Sequence, residues 1–544
     1  MGSVRSEAER WLAAEPDDDV RDELIGLLAG PSEILAERFS GGLEFGTAGL
    51  RAAIGAGPRR MNRLVVRRAA AGLADHLVAE GTANRGVLVG FDARRKSREF
   101  AVDTVRVLAA RGVPAWLVTE PVPTPVIAWA TPEFGASAAV VVTASHNPPS
   151  DNGYKVYLGD GSQVVPPIDA AIAAAIDRID ACGVELAAVD HPLVRRVGPE
   201  LVDRYVEWAA GRRLIADAPI DLRVAHTSLH GVGGDVVRRV LTSAGAPEPM
   251  VVREQHEPDG SFPTVSFPNP EEPGAMDLLL ELARSTDAHL ALASDPDADR
   301  LGVAIPDRDS WRRLTGDEIG WLLADHVLRN TSGDDRLVVT TLVSSSMLGK
   351  MAERHGVDFA ECSTGFKWIA DAARRRPGRR LVFAYEQALG YLVGDRPLDK
   401  DGITAALAMV ELAASLRAAG SSIARRLEEL AREYGRHRTA EVSVRRVDGR
   451  SAVDSLAASP PSALAGEPVV AVEVRPEAGL VRLWVGSVGD GVRVQIRPSG
   501  TEPKVKIYGE AVDRDPAPFV EATASLIGSS TVRSGSDHSA RPTG

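Results

Sequence analysis

The stretch Ala136-Ser137-Ala138-Ala139-Val140-Val141-Val142-Thr143-Ala144-Ser145, running on into His146-Asn147-Pro148-Pro149, is an apolar segment of strand length that stops at a turn. Its length, its three consecutive valines and its Asn-Pro-Pro ending read as a strand buried on both faces. Similar runs recur along the chain: RGVLVGFD (85–92), DLRVAHTSL (221–229), AHLALASD (288–295), RLVVTTLVS (336–344) and RRLVFAYE (379–386). Between them lie Ala/Leu/Arg-rich segments of helical character at 63–80, 98–111, 274–285 and 405–433. Buried strands alternating with amphipathic helices predict α/β units with mixed, largely parallel sheets, and function at the carboxyl ends of the strands.

The pattern changes after about residue 435. TAEVSVRRV (439–447), VVAVEVR (469–475), LVRLWVGS (480–487), GVRVQIRPSG (491–500) and KVKIYGEAV (504–512) are closely spaced strands, so the last domain is expected to be α+β and more antiparallel. Before the first strand, residues 5–30 form two short helical stretches separated by Pro16 and an acidic run, an N-terminal helical cap. The polar, Gly/Ser-rich tail, 528–544, is expected to be disordered. With 544 residues the chain should hold roughly three to five domains. The division expected is a cap and first α/β domain at 1–210, a second at 211–310, a third at 311–433 and the C-terminal domain at 434–527.

A net charge of −12 opposes broad attraction to nucleic acid or to an anionic membrane, but leaves room for a local basic pocket. No nucleic acid and no membrane is expected as a partner. Cys182 and Cys362 stand far apart, outside any metal-binding spacing. Together with an acidic N-terminus lacking an apolar core, they point to the cytoplasm.

Three constellations carry chemistry. The first is the strand end itself, where Ser145 and His146 are followed ten residues on by Lys155. A serine needs a base, a cation or a metal before it can take or give a phosphoryl group, and His146 and Lys155 could supply proton transfer or charge. Taken alone, Ser-His-Asn is also an ordinary turn. The second is Asp295-Pro296-Asp297-Ala298-Asp299-Arg300, three carboxylates at alternate positions between two strands. Such oxygen ligands suit Mg2+ with positions left over for a phosphate, whereas an EF-hand fails because Arg300 and Pro306 stand where glycine and glutamate are required. The third is Arg497-Pro498-Ser499-Gly500-Thr501-Glu502-Pro503-Lys504, a cation and small residues that could nest a phosphate ester. Walker A and G-x-G-x-x-G patterns are absent, so no nucleotide is implied, and without G-x-S-x-G a serine hydrolase is not supported.

Together and in this order, TASHNP, DPDADR and RPSGTEPK resemble the α-D-phosphohexomutase superfamily from about residue 40 to residue 512. The resemblance implies three α/β domains and a C-terminal phosphate-binding domain around a central cleft. It implies a sugar-phosphate mutase of phosphoglucomutase/phosphomannomutase type working through a phosphoserine and a bisphosphate intermediate. Ser145 would be the phosphorylated serine and would join Asp295, Asp297 and Asp299 around Mg2+. Arg497, Ser499, Gly500, Thr501 and Lys504 would hold the phosphate that is not reacting. His146, Lys155, Arg51 and Arg300 match the transfer site, and Lys367, Glu386 and Lys400 match sugar-contacting or proton-transfer positions. A sugar bisphosphate of the glucose 1,6-bisphosphate type would serve as activator, a small sugar phosphate as substrate, and the protein would be a monomer or homodimer. FGTAGLR (45–51), TGFKW (364–368) and YEQALGY (385–391), with Ala388 where many members have serine, look most like the phosphoglucomutase 2 branch, which includes phosphopentomutases and a glucose-1,6-bisphosphate synthase. A sensor that keeps the pocket without the chemistry is the reading of a different class.

Overall fold

In the computed structural model the described residues are 2–44, 49–446, 448–499, 504–528 and 530–533. They form two compact units, Met1–Arg313 with Gly390–Ser415, and Leu314–Leu389 with Leu416–Gly544. The fold is α/β, with three successive α/β modules and a C-terminal antiparallel module.

The first unit contains two sheets. In the six-stranded one, Ala138–Val142, Val87–Phe91, Ala115–Val118 and Val194–Val197 run parallel in that order. Asp151–Leu158 and Leu50–Ala53 extend it antiparallel. Every residue of Ala138–Val142 is buried, as its unbroken apolar run requires of a strand covered by helices on both faces. Helices Gly2–Ala14, Asp18–Ala29 and Ser32–Phe39 pack into the same core, with Trp11 edge-on to Phe39 at 5.7 Å. The third of these helices was not expected. In the second sheet, Leu290–Ser294, Val224–Thr227 and Met250–Val251 are parallel, and Leu301–Asp307 and Ser310–Arg313 follow antiparallel.

The second unit holds the parallel strands Asp358–Cys362, Arg336–Thr341 and Arg380–Glu386, and a seven-stranded sheet whose described pairings are all antiparallel. Helices Gly449–Ala458 and Ala517–Ile527 share its core, which includes Val442, Leu483, Val494, Ile507 and Val520. Ser530–Arg533, inside the tail expected to be disordered, forms a strand paired with His437–Arg445, and 534–544 lie outside the described residues.

The single helical segment expected at 405–433 is two helices, Gly402–Ala418 and Ile423–Tyr434. Gly420 sits at φ 68°, a conformation that ends a helix, and the Ser422 side chain accepts from the Arg425 N–H to begin the next. Among the described residues no single helix is long and apolar enough to cross a membrane.

Candidate active site

Two strand ends of the first unit meet in space. Ala138–Val142 delivers Ser145, which is 1% exposed and adopts φ 55°, a left-handed conformation uncommon for a residue with a Cβ. The Ser145 N–H donates to Thr143 Oγ1 at 2.9 Å, fixing the turn. Leu290–Ser294 delivers the acidic loop and Leu301–Asp307 takes the chain back antiparallel, so Asp295, Asp297 and Asp299 are drawn inward and buried. Ser145 Oγ donates to Asp295 Oδ2 at 2.8 Å and lies 3.2 Å from His146 Nδ1.

Three carboxylates this close would repel unless cations intervene. Lys155 supplies one, its Nζ donating to Asp297 Oδ2 at 2.6 Å and Asp299 Oδ2 at 2.8 Å. Lys400 supplies another, reaching Asp299 Oδ2 at 2.8 Å. The Arg300 N–H donates to Asp295 Oδ1 at 3.0 Å, and its guanidinium lies 3.9 Å from Asp299. Burial alone would raise all three carboxyls. Lys155, Lys400 and Arg300 nevertheless hold Asp299 well below the ordinary value, and Asp297 is also lowered, by Lys155 and Thr124. Asp295 is raised well above it, by burial and then by Asp297 and Asp299. His146 is held well below the ordinary histidine value by lost hydration and by Arg300 and Arg51.

The arrangement suits a divalent cation. One oxygen from each aspartate lies within 4.8 Å of the others. Asp297 Oδ1 and Asp299 Oδ1 are buried and accept no hydrogen bond among the described residues. Buried carboxylate oxygens that accept no hydrogen bond are the ligands a hard cation takes.

Of the expected site residues, Ser145, His146, Lys155, Arg300, Lys400 and the three aspartates therefore come together in the first unit, and Arg51 joins them through Asn147 Oδ1 at 3.5 Å. Five more belong to the second unit. Lys367 lies near the start of helix Phe366–Arg374 with its Nζ 5.5 Å from the Trp368 ring centroid, and Glu386 ends strand Arg380–Glu386, 6% exposed. Arg497 stands opposite Lys506 in the antiparallel sheet, and the Ser499 N–H donates to the Lys504 carbonyl at 2.8 Å. Gly500 and Thr501 lie outside the described residues, as do Phe45, Gly46, Thr47 and Ala48 of the FGTAGLR loop.

Two residues at this site were not singled out in the sequence. Thr124 donates its hydroxyl to Asp297 Oδ2 at 2.6 Å, and Arg94 reaches the Ser145 carbonyl. The position of Arg94 just after strand Val87–Phe91 was the available signal, since strand carboxyl ends carry function in α/β sheets.

Models of the phosphoglucomutase/phosphomannomutase family match α/β/α domain I at 42–182, domain II at 203–308, domain III at 315–434 and the C-terminal domain at 486–517. A protein of Haemophilus influenzae described as "Probable phosphomannomutase" is 39% identical, the match covering 84% of this chain and 94% of that one. A phosphopentomutase of Homo sapiens is 31% identical over 93% of this chain and 90% of its own. A crystal structure of a phosphoglucomutase/phosphomannomutase family protein from Burkholderia thailandensis shares the fold, with a TM-score of 0.68 at 22% identity over 89% of this chain and 96% of that one. The matches and the fold define a phosphosugar mutase, an isomerase that acts by phosphoryl transfer. The chain belongs to the phosphoglucomutase/phosphomannomutase family of the α-D-phosphohexomutase superfamily.

Proposed function

We propose that this mutase interconverts a hexose 1-phosphate and its 6-phosphate, with Ser145 as the residue that carries the phosphoryl group. The observation that carries the reading is the 2.8 Å hydrogen bond from Ser145 Oγ to Asp295 within a buried set of three carboxylates. Phosphorylated Ser145 gives its phosphoryl group to the free hydroxyl of a bound sugar monophosphate. The bond from phosphorus to Oγ breaks and a bond to the sugar oxygen forms, giving a bisphosphate. The hydroxyl proton passes to a nearby base and Oγ ends protonated. The 3.2 Å approach of His146 Nδ1 to Oγ supports His146 for that exchange, and Lys155 is the alternative. The sugar then turns end for end, and the reverse step returns its other phosphate to Ser145. Mg2+ bound by Asp295, Asp297 and Asp299 would neutralise phosphoryl charge, which with positioning is most of what catalysed phosphoryl transfer requires. Arg51, Lys155 and Arg300 add fixed positive charge. Arg497, Ser499, Gly500, Thr501 and Lys504 would hold the idle phosphate, while Lys367, Glu386 and Lys400 would contact the sugar.

We assign the four modules the boundaries 1–210, 211–310, 311–433 and 434–527, a sugar bisphosphate as activator, and the cytoplasm as location, consistent with two unpaired cysteines. A pentose 1-phosphate/5-phosphate reaction is the second reading. It is favoured by Ala388, which offers no hydroxyl to a hexose, beside Gln387, whose side-chain oxygen accepts from Ser344 Oγ at 3.2 Å. Values of kcat/KM for glucose, mannose, ribose and deoxyribose 1-phosphates, measured side by side, test the assignment. A pentose preferred by more than tenfold would replace the hexose reading, and full activity in Ser145→Ala would end both.

A further inference from the structure

Arg94 is a buried guanidinium whose hydrogen bonds go to main chain. Its Nη1 donates to the carbonyls of Pro148 at 2.7 Å and Asp151 at 3.1 Å, and its Nη2 to those of Ser145 at 2.6 Å and Asn147 at 2.5 Å. Four acceptors spread over residues 145 to 151 thus converge on one planar fork, which only arginine can offer. The fork is itself held from two sides. Asp92 Oδ2 lies 3.4 Å from Nε, and Asp92 Oδ1 accepts from the Arg94 N–H at 2.9 Å and from Ser97 Oγ at 2.6 Å. The Phe262 ring lies 4.8 Å from the guanidinium carbon. Phe262 comes from a segment between two strands of the second sheet, and Gly260 lets that segment close on Arg94, since a Cβ there would stand 2.5 Å from the Ala93 carbonyl oxygen.

We propose that Arg94 is the positioning residue for the Ser145 loop, a clamp that holds the serine in its left-handed conformation and aims Oγ at the acidic loop. A non-glycine residue in that region is strained and persists only when its surroundings fix it. Arg94, through the Ser145 carbonyl, and Thr143, through the Ser145 N–H, provide that fixation from both ends of the residue. Through Phe262, Arg94 also ties the serine loop to the module that carries the three aspartates, adding to the links that Thr124 and Lys155 make with the acidic loop.

This inference rests on Ser145 carrying the phosphoryl group. The test uses Arg94→Lys, which keeps the charge and loses the fork, and Arg94→Ala assayed with and without millimolar guanidinium chloride. Expected for Arg94→Lys is a fall in kcat of about 100-fold with KM within threefold of wild type. Expected for Arg94→Ala is a comparable loss, partly restored by guanidinium and not by sodium chloride of the same concentration. A purely stabilising role predicts lost soluble protein or a lowered Tm with normal kcat per folded molecule, and no guanidinium rescue. Arg94→Lys with kcat within threefold of wild type, or Arg94→Ala equally inactive in both salts, overturns the proposal. Because Ser145→Ala is measured alongside, an active Ser145→Ala refutes the nucleophile, whereas an inactive Ser145→Ala with a fully active Arg94→Lys refutes the clamp alone.

Discussion

Thr124 is bound to Asp297 twice: its main-chain N–H donates to the Asp297 carbonyl at 3.0 Å and its hydroxyl donates to the Asp297 carboxylate at 2.6 Å. Side chain and backbone of one acidic-loop residue are therefore fixed by a single residue that starts helix Thr124–Glu133. Thr124→Val keeps the shape and removes only the hydroxyl. A hydrogen bond to a charged group is worth about 1.5 kcal/mol or more, so the Mg2+ dissociation constant should rise about tenfold, while Thr124→Ser stays near wild type. Calorimetric titration with Mg2+ measures this, and identical affinities for Val and Thr would refute it.

Lys155 bridges Asp297 and Asp299 with no water-exposed path for their charge to be screened. Removing one partner of a buried ion pair costs about 3 to 5 kcal/mol, because the other charge is left behind. Lys155→Met should consequently lower Tm in metal-free buffer and regain more of it on adding Mg2+ than the wild type gains. Equal Mg2+-induced shifts in the two proteins would contradict a shared site for ammonium and cation.

In the second unit, Asp317 Oδ1 accepts from the Ser345 N–H at 2.8 Å and the Tyr385 hydroxyl at 2.9 Å. Burial, and then the carboxylate of Glu510, push its pKa from 3.8 to about 7. Between those values the folded chain keeps a proton that the unfolded chain has released, so stability from this group is complete below pH 3.8 and is lost as pH rises towards 7. The loss is about 1.4 kcal/mol per pH unit in that window. Asp317→Asn retains an oxygen for both bonds and cannot titrate. Urea midpoints between pH 5 and pH 7 should fall more steeply for wild type than for Asp317→Asn, and parallel slopes would sink the assignment.

Arg497 lies at the end of a strand beside the loop expected to grip phosphate. Losing one charge-assisted hydrogen bond costs about 1.5 to 3 kcal/mol, so Arg497→Ala should raise KM about tenfold or more. Steady-state kinetics with the preferred sugar phosphate decide it. An unchanged KM would remove Arg497 from the binding role.

How much of this was legible in the sequence depended on whether a residue acts through its own side chain. Ser145, Asp295, Asp297 and Asp299 stand at or just after strand ends with a spacing that already suggests ligand geometry, and in the structure their side chains lie together. Lys400 came into view only through family resemblance, since nothing in LDKDG says that its ammonium will meet an aspartate 101 residues earlier. Arg94 and Thr124 left almost no trace. The side-chain hydrogen bonds of Arg94 go to carbonyl oxygens, which every residue possesses, and Thr124 meets its partner across 173 positions. The break after Ala418 was written in Gly420 and Ser422, but Ala, Leu and Arg, all good helix formers, dominate the sequence on both sides of it. Strand Ser530–Arg533 was missed because short polar segments of Ser and Thr look alike in a strand and in a tail.

The position of Lys400 also bears on how the protein is made. The first unit breaks off at Arg313 and resumes only at Gly390. A nascent chain that has just completed its second sheet carries all three aspartates of the acidic loop and one of their two ammonium partners, with the other not yet synthesised. Until the ribosome has moved past residue 400, the carboxylate at 299 has only Lys155 and Arg300 to offset it, so the unit that holds the acidic loop is completed only after residues 314–389 of the other unit have been translated.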